Sequence, residues 1–258
     1  MKPLFSVAAI IFLSLNVFAQ DTSKTVQSTS PAGDDDVTIL YRKEASGGIT
    51  IHSNGWGLTY KSGKHITGFR KRILDFEFLT MKHPKEYSTP SSYDGAKSFI
   101  FGKLNYVFFL RGGWGYQNIL FSKGERSGVE IRYNYYGGID LGLTKPVYLD
   151  FVADDPNNPD FNILVTKRYN PDDPEQTYDN IYGAASFFKG FGDMSLHPGV
   201  YGKFAVSFEY AAWQQKIAAL ETGLMVDYFP DAIPMMAYNK YPSLFFNFYI
   251  SILWGGKW

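Results

Sequence analysis

Side chains that could act on a substrate are few in this chain, and they lie far apart. Four histidines, His52, His65, His83 and His197, are the only side chains that titrate near neutral pH without help from a neighbour. No two of them are separated by three or four residues, the spacing at which one helix face presents two metal ligands. We therefore expect no metal centre built on histidine.

Ser195, His197 and Glu209 supply the three side-chain types of a hydrolytic triad. A triad requires all three groups within hydrogen-bond reach of one another. Pro198 directly after His197 indicates a turn instead of a catalytic arrangement. We expect no catalytic residues and no enzymatic activity, with a rim-located lipid-modifying enzyme as the less favoured alternative.

Segment 153–198 is rich in carboxylates that could attract a hard cation such as Ca²⁺. Its acidic residues are Asp154, Asp155, Asp160, Asp172, Asp173, Glu175 and Asp179. Their spacing lacks the central glycine and terminal glutamate of an EF-hand loop. We predict a solvated acidic loop with no cofactor, leaving calcium binding open, and within it a short amphipathic helix over 181–188.

Composition narrows the class of protein further. The chain has 25 basic and 25 acidic residues, a balance that argues against nucleic acid as a partner. It has no cysteine, which excludes disulfides, iron–sulfur clusters and thiol nucleophiles. Aromatic residues make up 18% of the chain, an excess that would suit the aromatic girdles of a membrane β-barrel.

The N-terminal region predicts export. Lys2 precedes an apolar run from Leu4 to Leu15, and a small residue, Ala19, precedes polar sequence from Gln20 onward. These features are typical of a signal peptide over 1–19, cleaved after Ala19. Residues 20–36 are polar and predict a disordered lead-in, which leaves 37–258 as one β-barrel domain.

Period-two alternation is the main structural signal. From Leu244 to Trp254 the residues at even positions are all large and apolar, as expected for a β-strand with one apolar face. Similar segments occur near 37–43, 48–61, 66–80, 98–121, 127–151, 199–212, 216–229 and 243–254. Their number predicts an all-β, antiparallel, up-and-down transmembrane barrel of about eight strands.

Connections between these segments alternate in length. Tight turns are predicted at 62–64, 123–126 and 213–215, and long outer loops at 82–97, 153–198 and 230–242. The short connection Glu44–Gly47 is the exception on the outer side. Gly112-Gly113 lies nearly opposite Gly137-Gly138 around the turn at 124–125, which predicts a long hairpin with a shared kink.

The second face of each strand is small and sparsely charged, as in a narrow lumen filled by side chains. Charges inside a closed barrel should pair, because an unpaired buried charge is costly. The predicted polar lumen network is Lys103, Asn105, Glu130, Arg132, Lys203, Glu209, Glu221 and Asp227.

Several passages resemble small, largely uncharacterised outer-membrane barrels of Gram-negative bacteria, which have a porin-like fold. They are His83-Pro84-Lys85-Glu86, Gly113-Trp114-Gly115-Tyr116-Gln117, Val129-Glu130-Ile131-Arg132-Tyr133 and Lys145-Pro146-Val147-Tyr148-Leu149. The terminal strand also resembles the C-terminal signal read by the outer-membrane assembly machinery, with Phe248, Ile250, Ile252, Trp254 and Trp258 as its residues.

The resemblance implies location in the outer membrane, in contact with its lipid, and carries over no active site. We expect a structural or interaction component whose long loops contact partner proteins, as an accessory of a larger outer-membrane complex. A small porin-like channel for solutes is the alternative.

Overall fold

The computed structural model describes residues 42–122, 128–155, 158–210 and 215–258. The predicted signal peptide 1–19, the lead-in 20–36 and the turn 123–126 lie outside the described residues and stay predictions, as does most of the predicted first strand. Within the described ranges, no helix is long and apolar enough to cross a membrane.

Nearly all the regular structure in the described residues is β-strand. The strands are β1 (Lys43–His52), β2 (Gly55–His65), β3 (Arg70–Met81), β4 (Asn105–Phe121), β5 (Glu130–Pro146), β6 (Tyr148–Asp155), β7 (Asn158–Arg168), β8 (Ile181–Ala184), β9 (Ser195–Glu209), β10 (Lys216–Tyr228) and β11 (Leu244–Lys257).

Eight of these strands close into one antiparallel barrel in the order β1-β11-β10-β9-β5-β4-β3-β2. The closing seam pairs β1 with β11 from Glu44 opposite Lys257 to His52 opposite Tyr249. Consecutive barrel strands are neighbours throughout, so the predicted all-β, up-and-down, eight-stranded architecture is confirmed.

The two ends of the barrel differ in the length of their connections. Long segments 82–104, 147–194 and 229–243 join strands at one end, here called the outer end. The connection 66–69 at the opposite, inner end is short. The predicted long connections at one end are thus confirmed, and the short connection at that same end consists of Ser53 and Asn54.

The prediction for the first hairpin was wrong in its boundaries. Strand β1 runs to His52, so the predicted connection Glu44–Gly47 lies inside a strand. The predicted tight turn 62–64 lies inside β2, where Gly63 pairs with Glu44. A Cβ on Gly63 would come within 2.7 Å of the Glu44 Cγ, so this glycine serves a close approach and not a turn.

The outer segment between β5 and β9 contains a second, three-stranded sheet in the order β7-β6-β8, here called the outer sheet. The helix predicted over 181–188 is therefore wrong, because Ile181–Ala184 forms β8 and pairs with β6. Backbone pairing with an exposed sheet edge outweighed the weak helical pattern of this short segment.

The long hairpin predicted around the paired glycines is confirmed. Strands β4 and β5 each have 17 residues, and Gly113 lies directly opposite Gly138. Pairing continues through the glycines without a shift in register, so no bulge there supports the shared kink that was predicted with the hairpin. The irregularity lies instead between Ile119 and Phe121, nearer the inner end.

Candidate functional site

The barrel is polar inside and apolar outside, the reverse of a soluble barrel. On β9, Phe204 points outward and is 54% exposed, whereas its neighbour Lys203 points inward and is 4% exposed. On β11, Phe248 is 64% exposed and Asn247 is fully buried. The inward side chains form three layers of ion pairs, stacked from the inner to the outer end of the barrel.

The inner layer joins strands around the whole inner mouth. Lys71 Nζ donates to Glu44 Oε2 at 2.6 Å, and Arg132 Nη1 lies 2.5 Å from Glu209 Oε2. Lys257 also donates to Glu209. Glu130 pairs with Arg132 in the same layer.

Glu221 on β10 is the centre of the middle layer. Its carboxylate accepts hydrogen bonds from Lys61 Nζ at 2.5 Å, Tyr249 Oη at 2.7 Å and Asn134 Nδ2 at 2.8 Å. These three donors come from three different strands. These donors offset the free-energy cost of removing the carboxylate from water, which a lone buried charge would bear in full.

Arg111 is the centre of the outer layer, and Lys203 connects this layer to the middle one. Lys203 Nζ donates to Glu77 Oε1 at 2.5 Å and to Asp75 Oδ2 at 3.3 Å. The Arg111 guanidinium lies 2.5 Å from Asp227, 3.2 Å from Glu77 and 3.3 Å from Asp140. Arg111 thus holds three carboxylates from three strands around one cation.

An apolar cap closes the outer mouth above these charges. The rings of Phe109, Phe229 and Phe245 pack together, with centroids 4.8–5.9 Å apart. The connection 229–243 folds into the mouth and buries Ile233 and Met235. Asn105 Nδ2 anchors it by donating to the Pro234 carbonyl oxygen at 2.7 Å.

Six of the predicted lumen residues meet inside the barrel: Glu130, Arg132, Lys203, Glu209, Glu221 and Asp227. Asn105 lies at the outer mouth, beside the connection 229–243. Lys103 is elsewhere, because it precedes β4 in the outer connection and pairs with Glu86. Burial lowers the pKa of Lys103 from its usual value, although Glu86 opposes the shift.

Sequence reasoning missed about half of the lumen charges. The missed residues are Glu44, Lys61, Lys71, Asp75, Glu77, Arg111, Asp140 and Lys257. The signal was present in β3, where Lys71, Asp75 and Glu77 share the odd positions between outward apolar residues.

The candidate triad is not assembled. The His197 Nε2 lies 3.2 Å from the Thr144 Oγ1 at the outer end of β9. Glu209 ends the same strand at the inner end, bound to Arg132 and Lys257. Among the described residues no group of three acidic or histidine side chains could hold a metal ion, and Asp173, Glu175 and Asp193 of the acidic segment accept hydrogen bonds from nearby protein groups.

The residues of the predicted assembly signal lie along the last strand. Phe248, Ile250, Ile252 and Trp254 all point outward on β11. Trp258 follows the strand and exchanges two backbone hydrogen bonds of 2.9 Å with Lys43. Their role in recognition by assembly machinery stays a prediction.

Comparison of the sequence with protein-family models and with curated proteins gives no match. Solved structures do match. Neisserial surface protein A (NspA) is 10% identical over 84% of this chain and 97% of its own, with a TM-score of 0.40. The attachment invasion locus protein Ail of Yersinia pestis is 6% identical over 85% of this chain and 100% of its own, with a TM-score of 0.41.

A second structure of Ail, in complex with the heparin analogue sucrose octasulfate, is 7% identical over 85% of this chain and 100% of its own, with a TM-score of 0.38. The barrel described above rests on its own strand pairing and closure. The closed, eight-stranded topology agrees with the porin-like fold that the sequence resemblance implies.

Proposed function

We propose that this chain is an integral, non-enzymatic outer-membrane barrel that holds the outer sheet at the cell surface for contact with partner proteins. The observation that carries the proposal is the inversion of the barrel, with ion pairs inside and a continuous apolar surface outside. In water such a surface would be far larger than the apolar patches that soluble monomers expose.

The height of the apolar surface suits a bilayer. From Leu244 to Trp254, β11 turns an apolar side chain outward at every even position. At about 3.3 Å per residue and a tilt of about 45°, this stretch covers roughly 25 Å, the height of a transmembrane barrel wall. Insertion would use the outer-membrane assembly machinery, for which β11 supplies the aromatic terminal strand.

A sealed lumen favours a structural or interaction role over a channel. Eight strands leave an interior only wide enough for side chains. Here three layers of ion pairs occupy that interior, and the cap of Phe109, Phe229 and Phe245 covers them. The porin-like channel is the second candidate, favoured only by the polar character of the lumen.

The outer sheet offers the surface for a protein partner. Phe161 and Leu164 on β7 are exposed, as is Phe188 after β8. Exposed aromatic and aliphatic anchors of this kind are typical of protein-binding surfaces. Phe161 and Leu164 belong to the connection between the outer ends of β5 and β9, so we place them above the membrane.

Two measurements test the proposal. A photo-crosslinking residue at Phe161, in intact cells, should give a protein adduct of one defined mass, whereas the same residue at the lipid-facing Phe248 should give none.

In planar bilayers the purified barrel should show no steady conductance. Large stable channels would replace the sealed-lumen role with the channel, and a chain that stays folded and dissolved without amphiphile would remove the membrane placement.

A further inference from the structure

A small cavity lies on the outside of the barrel wall at the outer end, roofed by the outer connections. Its volume is about 120 Å³, room for about four waters. It lies between the wall, the connection after β3 and the outer sheet, and its lining includes Ser88, Ser98, Lys103, Tyr106 and Lys145.

Two lysines that line this cavity are buried. Lys145 on β5 is 1% exposed and Lys103 is 3% exposed. Both ammonium groups lie against the same ring, because Lys103 Nζ is 4.1 Å and Lys145 Nζ is 4.8 Å from the Tyr106 ring centroid. Two buried cations at one ring are costly unless anions compensate them.

Only one of these cations has a carboxylate partner in the described part of the chain. Glu86 pairs with Lys103 at 2.5 Å. Lys145 Nζ donates to the carbonyl oxygens of Phe187 and Lys189, at 2.9 and 3.0 Å, and forms no ion pair with a described residue. The rings of Tyr106, Phe187 and Phe191 also lie around Lys145 Nζ, with centroids at 4.7–5.3 Å, and its third N–H group has no hydrogen-bond acceptor among the described residues. The local charge is therefore one positive unit in excess.

The height of the cavity on the wall fits a phosphorylated headgroup. Tyr106 and Lys145 pair across β4 and β5, one outward row beyond the apolar pair Phe108 and Leu143. In the proposed membrane placement this is the boundary between hydrocarbon and headgroups. Ser88, Ser98 and Ser186 line the same cavity, and a serine hydroxyl can serve as a further donor.

We propose that this cavity binds a phosphate group, with Lys145 as its principal cation. The chemistry is that of a phosphate monoester or of inorganic phosphate, since a compact oxyanion matches one uncompensated ammonium and several hydroxyl donors. Whether the group belongs to a lipid depends on the proposed membrane placement, whereas binding of free phosphate does not.

Calorimetric titration of the purified full chain in phosphate-free maltoside micelles tests the proposal. One arm uses inorganic phosphate and the other uses monomeric dihexanoyl phosphatidic acid. We expect saturable binding that Lys145→Met weakens about tenfold or more, because charge-assisted hydrogen bonds are lost. Lys216→Met, which removes an exposed lysine at the inner end, should leave binding unchanged.

The two arms also identify the source of the phosphate. Tighter binding of the lipid, with the same dependence on Lys145, assigns a headgroup; equal binding assigns free phosphate. Saturable binding of neither probe, or undiminished binding by the folded Lys145→Met variant, overturns the proposal. If that variant fails to fold, Ala185→Phe, which fills the cavity and keeps both lysines, should abolish binding instead.

Discussion

Lys61 on β2 and Glu221 on β10 meet across the lumen, with 2.5 Å between Nζ and Oε1. Their strands are separated by β1 and β11 in the barrel order, so the pair ties together two walls that share no backbone hydrogen bond. Neither side chain has more than 5% of its surface exposed.

Removing one member of this pair should destabilise the barrel strongly. Lys61→Met leaves the Glu221 carboxylate without its closest cation, and breaking a buried pair costs about 3–5 kcal/mol. Urea unfolding of the barrel in lipid vesicles measures the loss. The matched control is Lys167→Met, whose pair with Glu175 on the outer side is well exposed and should be worth about 0–1 kcal/mol. Equal losses in both variants would mean that water reaches the lumen pair.

An arginine on the outer wall should be costly only if the wall contacts hydrocarbon. Phe204→Arg places a charge on the lipid face of β9, where the cost near the bilayer midplane is about 2–4 kcal/mol. Phe161→Arg, at a position of similar exposure on the outer sheet, should change stability by no more than about 0.5 kcal/mol. Folded fractions in vesicles over a urea series give both values. A tolerated arginine at Phe204 would argue for a wall that faces water.

The close contact between the paired glycines should not tolerate a methyl group. A Cβ on Gly138 would lie 2.3 Å from the Gly112 carbonyl oxygen and 2.5 Å from the Gly113 Cα. We expect Gly138→Ala to cost about 1–3 kcal/mol through overpacking, measured by the same unfolding assay. Gly202→Ala serves as the control, because nothing lies within 4 Å of its added Cβ. A Gly138→Ala barrel as stable as the parent would show that the two strands separate freely here.

Truncating the cap should weaken the barrel without opening a pore. Phe229→Ala removes a fully buried ring that packs on Phe109 and Phe245, at a cost of about 3–5 kcal/mol. Bilayer recordings of this variant should stay silent, because the ion pairs of Arg111 lie beneath the cap. Steady conductance in Phe229→Ala would show that the cap alone seals the lumen.

The sequence predicted the barrel best where one face is uniformly apolar. The two faces of β9 are assigned without ambiguity, because side chains alternate along a strand. Phe204 and Phe208 lie on the apolar face, and Lys203 and Glu209 lie on the polar one. The terminal strand and the opposed pair Gly113 and Gly138 followed from the same logic.

Prediction from the sequence failed where glycines lie inside strands. Gly47 and Gly63 suggest turns, yet each lies in a strand of the first hairpin, as does Gly48. A Cβ on Gly48 would meet the Ile252 carbonyl oxygen at 2.0 Å, so the glycine permits a close strand approach that only three-dimensional packing reveals. The inward path of 229–243 also escaped notice, although Ile233 and Met235 are apolar residues in a segment expected to face water.

Ties between distant walls have a mechanical consequence. Lys61, Arg111 and Lys203 each brace the cylinder close to its diameter, at successive heights. In the proposed membrane placement, we expect a tube braced in this way to keep its cross-section when the lateral pressure of the lipid changes. We also expect binding at the outer sheet to leave the inner end of such a stiff barrel unchanged.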